Sequence, residues 1–288
     1  MVHIERHDPG LGVEAGVKRR GAGRARLTAA LEQARQHPAN LLTLAQAALD
    51  RAGWIAVDEP DPTAVPELSR CLTLAARGGT AALTLALSPG SQGDRREVFI
   101  GAGPPFSPPP HSYPGRPRAR HWLQSYWLAQ GLGLADLTAT LTALPTTPLT
   151  AADDGLGWRW CRWLQAFQTG EPQALESAAA ALGAEGEGVE SGPFDAKALI
   201  PLIAPVETLL LPLVAGDTAA FAAALEAALL AHRHHWESHA PADPGGFFAL
   251  APWVLATWAS RRGLELAVTS DYWPWPPGGA DAPAVPDP

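Results

Sequence analysis

Apolar residues recur at helical spacing along most of this chain, and prolines and glycines divide the pattern into segments of about one helix each. Alanine and leucine cover one helix face over residues 41–49, and Asn40 before them is a residue type that caps helix N-termini. Gly53 is the predicted end of this helix, and Gly78 with Gly79 is the predicted end of the next. The same spacing predicts helices over residues 66–77, 121–130, 132–144, 158–167, 172–182, 219–239 and 246–262, with two shorter ones within 194–214.

Two short stretches have β character. Residues 81–87 and 96–100 predict a small hairpin, although alanine and leucine suit a helix equally well, and residues 264–268 predict a short extended segment. Strands never alternate with helices in this pattern, and no repeat period stands out. The sequence therefore predicts an all-α fold, an irregular multi-helix array or bundle of about 8–10 helices with at most one short β-hairpin.

Proline-rich stretches indicate how the chain is organised. Residues 103–117 contain seven prolines, which exclude a helix and suit either an extended surface crossing or a linker between two halves. Prolines are also dense from Pro274 onward, which predicts a frayed C-terminus. We expect a single helical domain over residues 1–274, with 103–117 as its candidate subdivision, followed by a flexible tail over residues 275–288.

The charge balance excludes several classes of partner. The chain has 21 Lys and Arg against 29 Asp and Glu, a net charge of -8 at pH 7, whereas a general nucleic-acid binder needs a basic face. The most apolar stretch, residues 196–215, is interrupted by three prolines, so we expect no membrane span. The polar N-terminus has no secretory h-region, and two cysteines cannot form a disulfide framework. We expect a cytoplasmic protein that binds neither nucleic acid nor membrane.

Histidines near the end of the long predicted helix are the main metal-site candidate. His232, His235 and His239 share one helix face, and Glu237 lies nearby, so a metal-dependent enzyme is one hypothesis. Helix C-terminal capping is the favoured interpretation, because the exposed carbonyls and the macrodipole attract positive charge there. No phosphate-binding loop, nucleophile elbow or zinc-protease motif accompanies them. We therefore expect no catalysis, no metal and no cofactor.

Two acidic groups have alternative interpretations. Asp153 and Asp154 precede a predicted helix and suit its N-terminus better than they suit an acid–base pair. Glu185, Glu187 and Glu190 lie in a glycine-rich segment that we predict to be a loop. These glutamates form either a solvated charge run or a docking surface for a basic partner.

Tryptophan is abundant, with eleven in the chain, and most should be buried because the side chain covers so much apolar area. Trp273 and Trp275 lie among prolines, where they either staple the C-terminus onto the helices or bind something as exposed side chains; the staple is favoured. Cys161 lies among the tryptophans of residues 158–163, which favours a buried, inert thiol over a nucleophile.

Five phrases resemble the immunity protein 49 family of bacterial polymorphic toxin systems. They are IERHD at residues 4–8, ALDRA at 48–52, HRHHW at 232–236, GFFALAP at 246–252 and SDYWP at 270–274. His235, Ala251 and Trp273 depart from the Tyr, Gly and Leu that the family tends to have at these places. The resemblance implies that the shared positions are structural: Arg6, His7, Asp8, His232, Trp236, Pro252, Ser270, Asp271, Tyr272 and Pro274.

The resemblance implies an immunity protein that binds a cognate toxin domain in the cytoplasm and blocks it sterically and electrostatically, without catalysis. An acidic inhibitor suits a nuclease or another toxin enzyme with a basic cleft. The candidate contact residues are Asp153, Asp154, Glu185, Glu187 and Glu190. A helical scaffold or regulator with a non-toxin partner, and the metal-dependent enzyme of helix 232–239, are the alternatives.

Overall fold

The computed structural model describes residues 1–10, 13–58, 64–87, 98–101, 105–106, 117–146, 156–170 and 208–277. Its α-helices are α1 (Val13–Gln36), α2 (Leu41–Asp58), α3 (Val65–Leu87), α4 (Ala119–Leu132), α5 (Ala135–Ala143), α6 (Leu156–Thr169), α7 (Thr218–His239) and α8 (Leu250–Arg261). Residues 208–215 are also helical. The predicted all-α, multi-helix fold is confirmed. None of the described helices is both long and apolar enough to span a bilayer.

The core is built around α4, which corresponds to the helix predicted over residues 121–130. Trp122, Tyr126 and Trp127 are fully buried, and Trp122 stacks on Tyr126 with 4.9 Å between the ring centroids. The Trp122 indole N–H donates to the Leu141 carbonyl at 3.1 Å and so attaches α5 to α4. Helix α4 also packs against α3, α6 and α8, while α2 packs between α1 and α3.

The glycines predicted to end two helices lie inside them, so this prediction was wrong. Helix α2 continues through Gly53, and α3 continues through Gly78 and Gly79. A Cβ on Gly53 would lie 2.6 Å from the Pro244 carbonyl oxygen, and one on Gly79 would overlap Ser125 Oγ. Gly53 thus allows a neighbouring backbone to approach closely and Gly79 a neighbouring side chain, at a cost in helix propensity of about 1 kcal/mol each.

The predicted β-hairpin was also wrong. Residues 81–87 complete α3, where Leu83 and Leu87 are buried in the core. Tertiary packing decided between two structures that alanine and leucine suit equally. Val98 instead forms an isolated antiparallel bridge with Phe106. The predicted helix 172–182 and most of 194–214 lie outside the described residues.

The ends of α7 and α8 agree in part with the sequence pattern. Asp217 caps the long helix and accepts a hydrogen bond from the Ala220 N–H at 2.9 Å, and this helix begins at Thr218, one residue before the predicted start. The predicted helix 246–262 begins later, at Leu250, after a short 3₁₀ turn (Pro244–Phe247). The intervening Ala249 N–H donates to the Tyr272 carbonyl at 3.2 Å, which draws the backbone out of the helical path.

The two ends of the described chain meet in a small parallel sheet. Strand β1 (Val2–Ile4) pairs with β2 (Val268–Ser270), with Val2 opposite Val268 and Ile4 opposite Ser270. The extended segment predicted at 264–268 leads into β2. This pairing places residues 4–8 against residues 270–274, and so positions the site described next.

Candidate functional site

The residues after β1 and β2 form a hydrogen-bonded cluster with α7, which we call the terminal clasp (Arg6, His7, His232, Asp271 and Tyr272). The Tyr272 hydroxyl lies 2.8 Å from His7 Nδ1 and accepts a hydrogen bond from the His7 backbone N–H at 3.0 Å. His7 Nε2 lies 3.1 Å from the Pro241 carbonyl. One tautomer satisfies all three contacts: Nε2–H donates to Pro241, and Nδ1 accepts from the phenol.

His232 joins the clasp from α7. Its side chain is 4% exposed, and Nε2 donates to the Gly246 carbonyl at 2.9 Å. The ring meets Tyr272 edge-on, with 4.8 Å between centroids. Trp236, one turn later on α7, lies against Gly246 so closely that a Cβ there would overlap the indole ring. Glycine at 246 is therefore required by the position of Trp236.

Arg6 holds the clasp to α2. Its Nη1 donates to the Ala56 carbonyl at 2.6 Å, and Nη2 donates to the Asp271 carbonyl. The Arg6 backbone N–H also donates to the Asp271 carboxylate at 3.3 Å. Burial lowers the pKa of the Arg6 guanidinium, and the Asp271 charge opposes that shift. One side chain thus ties three segments that are distant in sequence.

The remaining signature residues have local roles around this cluster. Ser270 Oγ donates to the Ile4 carbonyl at 3.0 Å and accepts from the Tyr272 N–H at 3.2 Å. Asp8 accepts from the Gly10 N–H at 2.8 Å. Pro252 is buried in the first turn of α8, where its missing N–H costs no helical hydrogen bond, and Pro274 is half-buried.

Burial sets the protonation states of the clasp. Desolvation lowers the pKa of His232 to about 4, against the opposing effect of its hydrogen bond to Gly246, and it also lowers the pKa of His7. It raises the pKa of Tyr272 to about 12. Both imidazoles are therefore neutral at pH 7 and the phenol keeps its proton. His7 and Tyr272 hydrogen-bond to each other and His232 to the Gly246 carbonyl, which suits a structural role.

An open groove of about 710 Å³ lies beside the clasp. Its polar lining comes from His3, Arg6 and Asp271, and its apolar lining includes Trp273 and Trp275. Both tryptophans are buried, and Trp275 meets Trp253 of α8 edge-on at 5.2 Å, so the predicted staple is confirmed. Trp275, the first residue of the predicted flexible tail, therefore packs on α8.

The histidines of α7 do not converge on one point. His232 turns inward to Gly246, whereas His239 Nδ1 lies 2.7 Å from the His235 carbonyl and its ring stacks on the His235 ring. Within the described ranges, no three His, Cys, Asp or Glu side chains are grouped so as to hold a metal ion. Cys161 is fully buried, with Sγ 3.8 Å from the Ala119 carbonyl.

The five acidic residues predicted to contact a toxin cannot be placed. Asp153, Asp154, Glu185, Glu187 and Glu190 all lie outside the described residues. The structure does bring together seven signature residues from three distant phrases, namely Arg6, His7, His232, Trp236, Ser270, Asp271 and Tyr272. Sequence reasoning missed Gly246 and the Ala56 carbonyl; the signal for the first was its adjacent glycine pair before an apolar run.

Comparison with known proteins identifies the family to which this chain belongs. The family model of immunity protein 49 matches residues 59–275, well over half of the chain. The chain belongs to the immunity protein 49 family. Neither the curated proteins nor the solved structures that were searched gave a match. The match includes the phrases at 232–236, 246–252 and 270–274, whereas those at 4–8 and 48–52 precede it.

The clasp connects these two parts of the chain. Tyr272, inside the region matched by the immunity protein 49 family, contacts His232 of the same region and also His7, which lies before that region. Arg6 and His7 therefore complete a structure whose other half carries the family match.

Proposed function

We propose that this chain is an immunity protein that binds a cognate toxin domain in the cytoplasm and blocks it without chemistry of its own. The observation that carries this proposal is the match of residues 59–275 to the immunity protein 49 family. Blocking requires only that the chain cover the toxin's substrate site. The reaction that the toxin catalyses is not specified by this match.

The terminal clasp stabilises the fold, and other residues of the chain are left to bind the toxin. His7, Tyr272 and His232 direct their hydrogen bonds at each other or at backbone carbonyls. Side chains engaged in this way hold the fold and leave toxin contact to other surfaces. The net charge of -8 would steer the chain toward a basic cleft, such as that of a nuclease.

The test is calorimetric titration of the full chain with a catalytically inactivated toxin domain encoded beside its gene. We expect one-to-one binding with a Kd at or below about 1 nM, some -12 kcal/mol, and stoichiometric inhibition of the active toxin. A folded toxin domain that neither binds nor is inhibited would refute the proposal. It would favour the helical scaffold with a non-toxin partner.

The acidic residues give this proposal a second, separate test. If Glu185, Glu187 and Glu190 contact a basic cleft, then changing all three to lysine should slow association and flatten its dependence on salt. The same change applied to Asp153 and Asp154 tests the other candidate pair. Unchanged association kinetics would remove the altered residues from the interface.

A further inference from the structure

Positive charge is concentrated on one group of helices in this acidic chain. Helices α4, α5, α6 and α8 contain a single acidic residue, Asp136, whereas α6 and the end of α8 supply Arg159, Arg162, Arg261 and Arg262. Arg162, Arg261 and Arg262 are exposed. Within the described residues, no carboxylate forms an ion pair with any of these three. Among the described residues their charge is therefore not neutralised by a carboxylate, although Arg162 lies over the Trp158 ring and Arg262 over the Phe167 ring.

Aromatic side chains of α6 and α8 lie beside one of these arginines, Arg262, and stack on each other. Trp163 stacks on Phe167 at 5.3 Å, and Phe167 stacks on Trp258 of α8 at 5.5 Å. All three are half-buried. The Arg262 guanidinium lies 5.9 Å from the centre of the Phe167 ring, within cation–π range. Rigid aromatic rings next to arginine have the composition of interface hot spots.

A groove of about 530 Å³ opens next to this row, with Arg261 on its rim. Alanine and threonine side chains of α5 form one wall, and Gln168 and Thr169 at the end of α6 form another part. The Gln168 Oε1 accepts hydrogen bonds from Gln130 Nε2 at 3.0 Å and from the Tyr126 hydroxyl at 3.3 Å. This fixes the amide and leaves its NH₂ group available as a donor.

We propose that this cationic face, formed by Arg162, Arg261, Arg262, the Trp163–Phe167–Trp258 row and the adjoining groove, binds an acidic segment of the toxin domain. The inference rests on the proposed function and names the surface that carries it out. A carboxylate in the groove would accept hydrogen bonds from Arg261 and Gln168, while an apolar neighbour would pack on the aromatic row. It assigns toxin contact to residues other than the acidic ones at 153–154 and 185–190.

Arginine and tryptophan also suit single-stranded nucleic acid, because bases stack on aromatic rings. The net charge of -8 opposes this alternative, since the remainder of the chain would repel a polyanion of any length. A short acidic protein segment avoids that repulsion. The protein partner is therefore favoured, and the oligonucleotide becomes an outcome of the test.

The decisive experiment compares Ala139→Glu with Ala139→Lys in the full chain. Ala139 is an exposed residue of α5 that lines the groove, and glutamate and lysine are helix formers of similar length. Steric effects on an incoming partner are therefore similar, and only the sign of the charge differs. Titration against the inactivated toxin should give a Kd at least about tenfold weaker for Ala139→Glu than for Ala139→Lys.

A second pair of variants removes charge without adding bulk. Arg261→Gln with Arg262→Gln should weaken toxin binding by about tenfold and flatten its salt dependence. The matched control is Lys18→Gln with Arg24→Gln, two exposed changes on α1, which packs on α2 rather than on α4, α5 or α6. Circular dichroism melts of all variants exclude unfolding as the cause.

Each outcome separates this inference from the proposed function. If the unaltered chain binds the toxin but Ala139→Glu and Ala139→Lys bind equally, the cationic face is refuted and the immunity role stands. The same conclusion follows if only the glutamate reversals at 185, 187 and 190 weaken binding. If the unaltered chain does not bind, both proposals fall. Binding of a labelled single-stranded oligonucleotide that is lost in Arg261→Gln with Arg262→Gln would overturn the acidic partner.

Discussion

Acid should destabilise this protein through His232, because the imidazole is buried in its neutral form. Desolvation lowers its pKa to about 4, and the neighbouring His7, His235 and Arg6 act in the same direction, whereas the Gly246 carbonyl opposes them. The unfolded chain, with a histidine pKa of 6.5, binds a proton more readily than the folded chain. The His232 contribution is therefore complete above pH 6.5 and is lost as the pH falls from 6.5 toward 4.

The magnitude follows from the two pKa values. Between pH 7 and pH 5, protonation of His232 in the unfolded state alone should lower the free energy of unfolding by about 2 kcal/mol. The loss would approach about 3 kcal/mol near pH 4, where the folded state also begins to bind the proton. The lowered pKa of His7 adds to the loss in the same direction. Carboxylates titrate mainly below this window, so the early part of the curve reports on the histidines.

The assay is urea unfolding followed by tryptophan fluorescence at pH 7, 6 and 5. His232→Gln keeps a donor near the position of Nε2 but cannot be protonated. Between pH 7 and pH 5, the loss of unfolding free energy should therefore be about 2 kcal/mol smaller in this variant than in the unaltered chain. His234→Gln, at an exposed position on the same helix, is the matched control and should retain the full pH dependence. Equal pH dependence in His232→Gln and the unaltered chain would refute the burial argument.

Three further stability changes follow from contacts described above. Gly246→Ala should lower the free energy of unfolding, measured with heat or urea, by about 2 kcal/mol or more, because the new Cβ would overlap the Trp236 ring. Gly245→Ala is the control and should cost less, because a Cβ there would lie 3.9 Å from that ring. Equal costs would contradict the overlap. Trp275→Ala should cost about 3 kcal/mol in urea unfolding, and an unchanged midpoint would mean that the staple carries no stability. Asp217→Ala should lower the stability by about 1 kcal/mol through loss of the α7 cap, and Asp217→Asn should recover most of it.

The sequence predicted which segments form helices. It predicted where a helix begins or ends only where a side chain hydrogen-bonds to the backbone of its own helix end. Asp217 caps the helix that follows it, and a hydrogen bond to the third residue on needs no distant partner. Gly53 and Gly79 are residues typical of helix ends, yet Gly53 allows the Pro244 backbone to approach and Gly79 allows the Ser125 side chain to approach. A glycine that stops a helix and a glycine that admits a neighbour look alike in one sequence, because the difference lies in distant residues.

The same limit applies to the terminal clasp. The resemblance identified His7 and Tyr272 as positions of interest, but their hydrogen bond joins residues 265 apart in the chain. Arg6 binds backbone carbonyls of Ala56 and Asp271, acceptors that every residue type supplies, so no spacing pattern could reveal them. The cationic face was missed for another reason: its arginines are distributed over two helices, and the overall negative charge conceals them.

The pairing of β1 with β2 has a consequence for the order in which the molecule is completed. Strand β1 is made before β2, and more than 260 residues separate the two strands. Until β2 is made, Ile4 and His7 lack their partners Ser270 and Tyr272, and closing so long a loop is entropically costly. The clasp therefore forms late, after the helices between have folded. A nascent or truncated chain that does not contain β2 lacks this closure.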